Sequence, residues 1–138
     1  MTQGYFSAER AIVDRLAGTL PEIKSAAGSH AGALVDDASR RPCVAVIYDG
    51  YEPMGRGEGK SMIRQRWRIT IVVDARNDKS GADARAAAGP IINKVISAVA
   101  GWKPLPELSP MELAAGNGAE YKNGVAAFSL VFSANLII

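Results

Sequence analysis

One run of the chain, Met62 to Asp74, alternates along its whole length. Ile63, Trp67, Ile69, Ile71 and Val73 fall on one side, with Gln65 among them. Arg64, Arg66, Arg68, Thr70 and Asp74 fall on the other, with Val72. β-branched and aromatic residues at a period of two read as a long strand with one face on a core. Just upstream, Pro42 to Tyr48 is a short apolar run with no room for a helix, and it reads as the partner strand. Between the two lies a connection, Asp49 to Lys60, that holds Gly50, Gly55, Gly57 and Gly59. Glycine loses the most backbone entropy when fixed. The stretch from Tyr48 to Lys60 is therefore expected to be mobile in the isolated protein and ordered in an assembly. Tyr51, Pro53 and Met54 would supply apolar contact there, and Arg56 and Glu58 charge.

The elements on either side follow from helical periodicity and turn residues. Ile12, Val13, Leu16 and Leu20 form one apolar face of a helix, with Ser7 as its N-cap, Pro21 as its stop, and Glu9, Arg10, Asp14 and Arg15 toward water. Ile23 to Ala27 reads as a short edge strand. His30 to Ser39 reads as a short helix with Leu34 and Val35 inward. Ser80-Gly-Ala-Asp83 has the form of a capping box before a long helix that ends near Gly101. Ala84, Ala88, Ile91, Ile92, Val95, Val99 and Trp102 make its inward stripe, and Gly89-Pro90 should kink it or split it in two. Trp102 to Pro110, with three prolines, crosses an end of the sheet, and Met111 to Ala114 reads as extended. Asn123-Gly124 between extended runs predicts a hairpin, with Phe128, Leu130, Phe132 and Leu136 sharing a face of the last strand. The chain is thus expected to be one domain, 1–138, of the α+β class. Its antiparallel, or mixed, sheet would have about four to five strands, with helices packed on one face.

Few chemistries remain open. A formal charge of +2 does not by itself imply nucleic acid. One cysteine, Cys43, excludes an intrachain disulfide, and its place in a strand predicts a buried thiol. One histidine and one cysteine do not make a usual zinc site. His30 has no activating partner nearby, and reads as a surface residue at a helix start. Asp36 and Asp37 are adjacent, so a helix would point them apart. Ser7, Ser29 and Ser39 lack the context of a nucleophile elbow. Gly55-Arg-Gly-Glu-Gly59-Lys60-Ser61 approaches a phosphate-binding loop, but Met54 occupies the position of its first glycine, and a strand follows where a helix is needed. No catalytic residue, metal ligand or cofactor site is expected. The N-terminus lacks the apolar core of a signal peptide, and no apolar run is long enough to span a membrane. The chain is placed in the cytoplasm, or in something assembled there.

Two surfaces stand out. Arg64, Arg66 and Arg68 share a strand face, with Arg56 and Lys60 just before. That face is a solvated sheet surface, a subunit interface, or the phosphate-tracking patch of a small nucleic-acid-binding module. The chain also ends on Asn135-Leu-Ile-Ile138, where termini are usually polar. Leu136, Ile137 and Ile138 either complete the chain's own sheet or dock on another subunit. The expected subunit interface is therefore Tyr51, Met54 and Arg56, the stripe Arg64, Arg66 and Arg68, and the terminus Leu136, Ile137 and Ile138.

The order of elements is itself informative. A helix ends in Leu20-Pro-Glu-Ile23, a second ends in Asp36-Asp37-Ala38, and Arg41-Pro42-Cys-Val-Ala-Val-Ile47 follows. A glycine-rich stretch, a strand around Arg66-Trp67, a Gly89-Pro90 helix ending in Gly101-Trp102, and a final hairpin complete it. Over nearly its whole length the chain resembles the phage tail terminator and minor tail proteins, the small Mu-like and lambda-like tail-completion proteins. The resemblance implies an α+β structural protein of the virion tail that is not an enzyme and is assembled in the bacterial cytoplasm. It would cap the tail tube as a ring, typically of six copies, stop tube growth and present a surface for joining the head. Its partners would be copies of itself, the tail tube protein and head–tail connector proteins. DNA would pass through the ring without specific binding, and no membrane is involved.

Overall fold

The computed structural model describes residues 4–57, 59–76, 78 and 80–138. In chain order its elements are α1 (Ser7–Thr19), β1 (Lys24–Ala27), α2 (Ser29–Asp36), β2 (Cys43–Gly57), β3 (Lys60–Asp74), α3 (Ala82–Val99), β4 (Glu112–Gly116), β5 (Glu120–Lys122) and β6 (Val125–Ile137), with a 3-10 turn at Ala38–Arg40. The sheet runs β1-β2-β3-β6-β4, and β5 also pairs with β6. All pairings are antiparallel except β1 with β2. This is the expected α+β class, with six strands among the described residues rather than four to five.

The alternating run occupies the middle of the sheet. Trp67, Ile69, Ile71 and Val73 of β3 are buried on one face, against Ile12, Leu16 and Leu20 of α1 and Ala84, Ala88, Val95 and Val99 of α3. Their burial supplies the apolar driving force, at roughly 1.5–3 kcal/mol per large side chain. The small residues Ala84 and Ala88 are fully buried, which lets α3 lie close on the sheet. Val72, on the opposite face, is buried too. It meets Cys43 of β2 and Leu34 of α2, so the short helix covers one corner of the face that carries the arginines. Cys43 is buried as expected, and loss of water around it raises its thiol pKa. Arg15 does more than face water. Its Nε donates to the Ala98 carbonyl at 2.9 Å, and its guanidinium lies 5.1 Å from the centre of the Trp102 ring, which ties α1 to the end of α3.

Local chemistry departs from expectation in four places. The connection from Asp49 is strand as far as Gly57, paired with β3, and is not an irregular loop. Its glycines sit where the ladder slips: Gly50, at φ 90°, within the bulge between Tyr48 and Tyr51, and Gly55, at φ 107°, within the one between Pro53 and Arg56. A bulge needs a residue free to take positive φ, so these glycines permit the strand to continue. Glu58, part of the same expectation, lies outside the described residues. The helix α3 is one element through Pro90, so Gly89-Pro90 does not split it in two. Ser7 does not cap α1; it is the first helical residue, and no side chain caps that end. The chain instead enters through a turn in which Ser7 N–H donates to the Gly4 carbonyl and Glu9 N–H to that of Phe6.

The fourth departure is at α3. Gly81, at φ 80°, holds the cap position, and its turn brings back the carboxylate of Asp78. That carboxylate accepts from Gly81 N–H at 2.9 Å and Ala84 N–H at 2.8 Å. Ser80 contributes a longer bond, accepting from Ala82 N–H at 3.3 Å. The Ala84 bond is the main reason that the Asp78 carboxyl titrates below its ordinary range. A carboxyl with a lowered folded pKa stabilises fully above its unfolded value, about 3.9, and loses that contribution as pH falls through the folded value. Wild type should therefore melt above Asp78→Ala at neutral pH, and the gap should narrow as pH falls below the unfolded value of about 3.9. Thermal melts of both across that range give the result, and a gap independent of pH would refute the cap. Asp37 and Asp74 are lowered as well, by Ser39 and Arg76 respectively, so the acid limb of wild type is shared among three carboxyls.

Candidate functional site

The two faces of β3 set out the surface. On the polar face Arg64, Arg66, Arg68 and Thr70 stand opposite Asn135, Ser133, Val131 and Ser129 of β6. Two of the three arginines are paired within the chain. Arg66 Nη1 meets Glu52 Oε1 at 3.3 Å, and Arg68 Nη2 meets Asp49 Oδ2 at 3.2 Å. Arg64 Nε donates to Asn135 Oδ1 at 3.2 Å. Half-exposed pairs of this kind contribute about 0–1 kcal/mol each. Their larger effect is to neutralise the stripe. The carboxylates come from β2 residues that the sequence assigned to a loop, so their position beside the arginines was not foreseen. A phosphate-tracking face needs free cations in a row, and these carboxylates already occupy two of them.

Beyond Arg64 the same face turns apolar. Met62 and Ile137 are direct partners across β3 and β6, and both are exposed, at 37% and 55%. Met54, at 41%, lies just past Pro53, which pairs with Ile63 at this end of the sheet. Met62 was not among the residues singled out from the sequence, although its place in the alternation, next to the last apolar residues of β6, makes it part of this exposed apolar end. The three terminal residues behave differently from one another. Leu136 pairs with Ile63, bridges to Leu108 and packs on the core, so it completes the chain's own sheet. Ile137 and Ile138 remain exposed, while the Ile138 backbone exchanges two bonds with Ser61.

On the helix-covered face this end holds a cleft of about 380 Å³, lined by Tyr5, Ala8, Leu105, Leu108 and Ile138, with Gln65. Gln65 is fully buried. Its Nε2 donates to the Tyr5 carbonyl at 2.9 Å, while its Oε1 has no partner among the described residues. Tyr5, Phe6, Tyr48 and Trp67 stack edge to face beside it, and the Tyr5 and Tyr48 hydroxyls are hydrogen-bonded to each other. Burial first, and then that bond, push the Tyr48 hydroxyl well above its ordinary pKa. The cluster is what anchors the segment before α1. Tyr51 and Arg56 are exposed along the outer side of β2. Among the described residues, no group of histidine, cysteine and carboxylate side chains is placed to hold a metal, and no helix is long and apolar enough to cross a membrane. His30 is exposed.

A family model described as "Phage tail terminator protein" matches residues 1–138. The chain belongs to the phage tail terminator family. It is a structural protein of the phage tail, a component of the virion, as the order of its elements implied. No curated protein matches the chain. A solved structure titled "Virion of native gene transfer agent (GTA) particle" contains a chain that is 17% identical, with a TM-score of 0.49, and the match covers 98% of this terminator and 100% of that chain.

Proposed function

We propose that this chain closes the tail tube as a ring of its own copies, six in number, which stops tube growth and offers the surface that the head joins. The match to the terminator family over the whole chain carries this reading. The exposed side chains Met54, Met62, Ile137 and Ile138, gathered at one end of the sheet, support it. Such a patch on a small domain marks an association site. The proposed partners are other copies of the chain, the tail tube protein and head–tail connector proteins. DNA crosses the lumen without specific binding, consistent with an arginine stripe already held by Glu52 and Asp49.

The test is to add purified protein to growing tail tubes. Tubes should stop at the length reached on addition, with a ring at one end in negative stain. Light scattering of the protein alone does not decide, because a ring that closes on a tube end can be fed by monomers. Tubes that keep growing and bear no added density at either end would remove the reading.

A further inference from the structure

We propose that neighbouring copies join edge to edge, the free outer edge of β2 in one copy adding as a strand to the free outer edge of β4 in the next. The inference rests on the ring reading and specifies its contact. It begins from the unpaired backbone of the sheet. β1 covers β2 only from Cys43 to Val46, so from Ile47 to Gly57 the outer side of β2 has no ladder partner among the described residues. β4 pairs with β6 alone, and its other side is likewise open. An open edge is a template for another strand, and main-chain hydrogen bonds give such an addition its affinity.

Direction and level both fit. β3 is antiparallel to β2 and to β6, and β4 is antiparallel to β6. β4 therefore runs against β2, and a copy set beside its neighbour continues the sheet with an antiparallel pair. Through the ladder, Glu112 stands level with Ser133 and Arg66, and Gly116 with Leu130 and Ile69. On β2 that level begins at Val46, the partner of Ile69, and runs through Tyr48, the partner of Trp67. The free edge of β2 thus opens at the height where β4 presents its own.

The side chains agree. Leu113 lies on the helix-covered face, as the partner of Phe132, and Tyr51 lies on the same face, as the partner of Gln65. Through Phe132 and Trp67, Leu113 stands level with Tyr48, so Tyr51 is its diagonal neighbour on that face, and both are large apolar groups left exposed, at 44% and 53%. Aromatic and aliphatic neighbours on one face stabilise a strand pair. The two edges are different surfaces on opposite sides of the sheet, so the contact is heterologous and repeats around a ring, where pairing of like edges would stop at a dimer. Pro53 and the bulge between Pro53 and Arg56, on the far part of β2, blunt that edge against open-ended pairing. They confine the match to the short stretch that the five residues of β4 can cover.

Cross-linking on tail tubes tests the contact. Tyr51→Cys and Leu113→Cys are made separately, and the remaining cysteine, Cys43, is fully buried and unreactive in the fold. Diagonal neighbours on one face of an antiparallel pair lie about 7–8 Å apart, a gap that a short bismaleimide spans. A mixture of the two variants on tubes should give covalent dimers, while neither variant alone should. The double variant should give a ladder up to the full ring. Rings visible on tubes with no cross-link in the mixture would overturn this contact and leave the ring reading standing. Tyr51→Cys linking to itself would overturn it in favour of a like-edge dimer. Failure of the unmodified protein to form rings on tubes would remove both proposals.

Discussion

Tails assembled with the double variant Met62→Lys, Ile137→Glu should be completed at less than about a tenth of the normal level, a loss that corresponds to about 1.4 kcal/mol or more at the contact. The two side chains face each other across β3 and β6 on the open face, and both are exposed. Opposite charges keep a favourable cross-strand pair, so the fold itself should change by no more than about 0.5 kcal/mol. Charge in the middle of an apolar contact, by contrast, must be stripped of water each time a subunit docks. The measurement is the yield of length-controlled tails by electron microscopy, beside thermal melts of the purified variant. Normal yield from a normally stable variant would show that this end of the sheet touches nothing in the tail.

The second large effect concerns stability. Trp67→Ala should cost about 3–5 kcal/mol, out of a total of about 5–15 kcal/mol for a domain, and should leave much of the protein unfolded at growth temperature. Trp67 is fully buried at the centre of the sheet, stacked on Tyr48, in a core cluster that includes residues of both long helices. Its indole Nε1 has no partner among the described residues. Trp67→Phe therefore removes an unsatisfied donor together with some volume, and should cost less than half as much as alanine. Urea titrations of the three proteins rank them. Phenylalanine proving as damaging as alanine would mean that the indole N–H makes a bond that matters.

The sequence was legible wherever a single periodicity ruled. β3, the stripe of α3 and the Asn123-Gly124 hairpin were readable because each is set by local spacing; both turn residues do take positive φ. Asp49 to Gly57 was misread because glycine and proline ordinarily signal a loop, and here they serve a bulged edge strand whose partner lies across a turn. The cap of α3 was assigned to the nearest residue of the right type, Ser80, because the left-handed turn at Gly81 that brings Asp78 into place is a tertiary fact. The same holds for the surface. Arg64, Arg66 and Arg68 were visible as a stripe, but their neutralisation by Glu52 and Asp49 required the strand pairing. Leu136, Ile137 and Ile138 were visible as an apolar end, but only the bridge of Leu136 to Leu108 separates the one that belongs to the core from the two that do not.

The role of β6 as common partner has a bearing on how the chain is made. β3, β4 and β5 all pair with this strand, which comes last in the sequence, and the segment before β4 bonds to it as well through Ser109 and Asn135. While a ribosome is still adding β6, at about 5–20 residues per second, β3 has an open inner edge and the stripe of α3 has half a sheet to rest on. Pairings this distant in sequence also close slowly. A nascent chain therefore cannot assemble its sheet in step with synthesis, and a transcript cut short within β6 yields a polypeptide with its central strand bare.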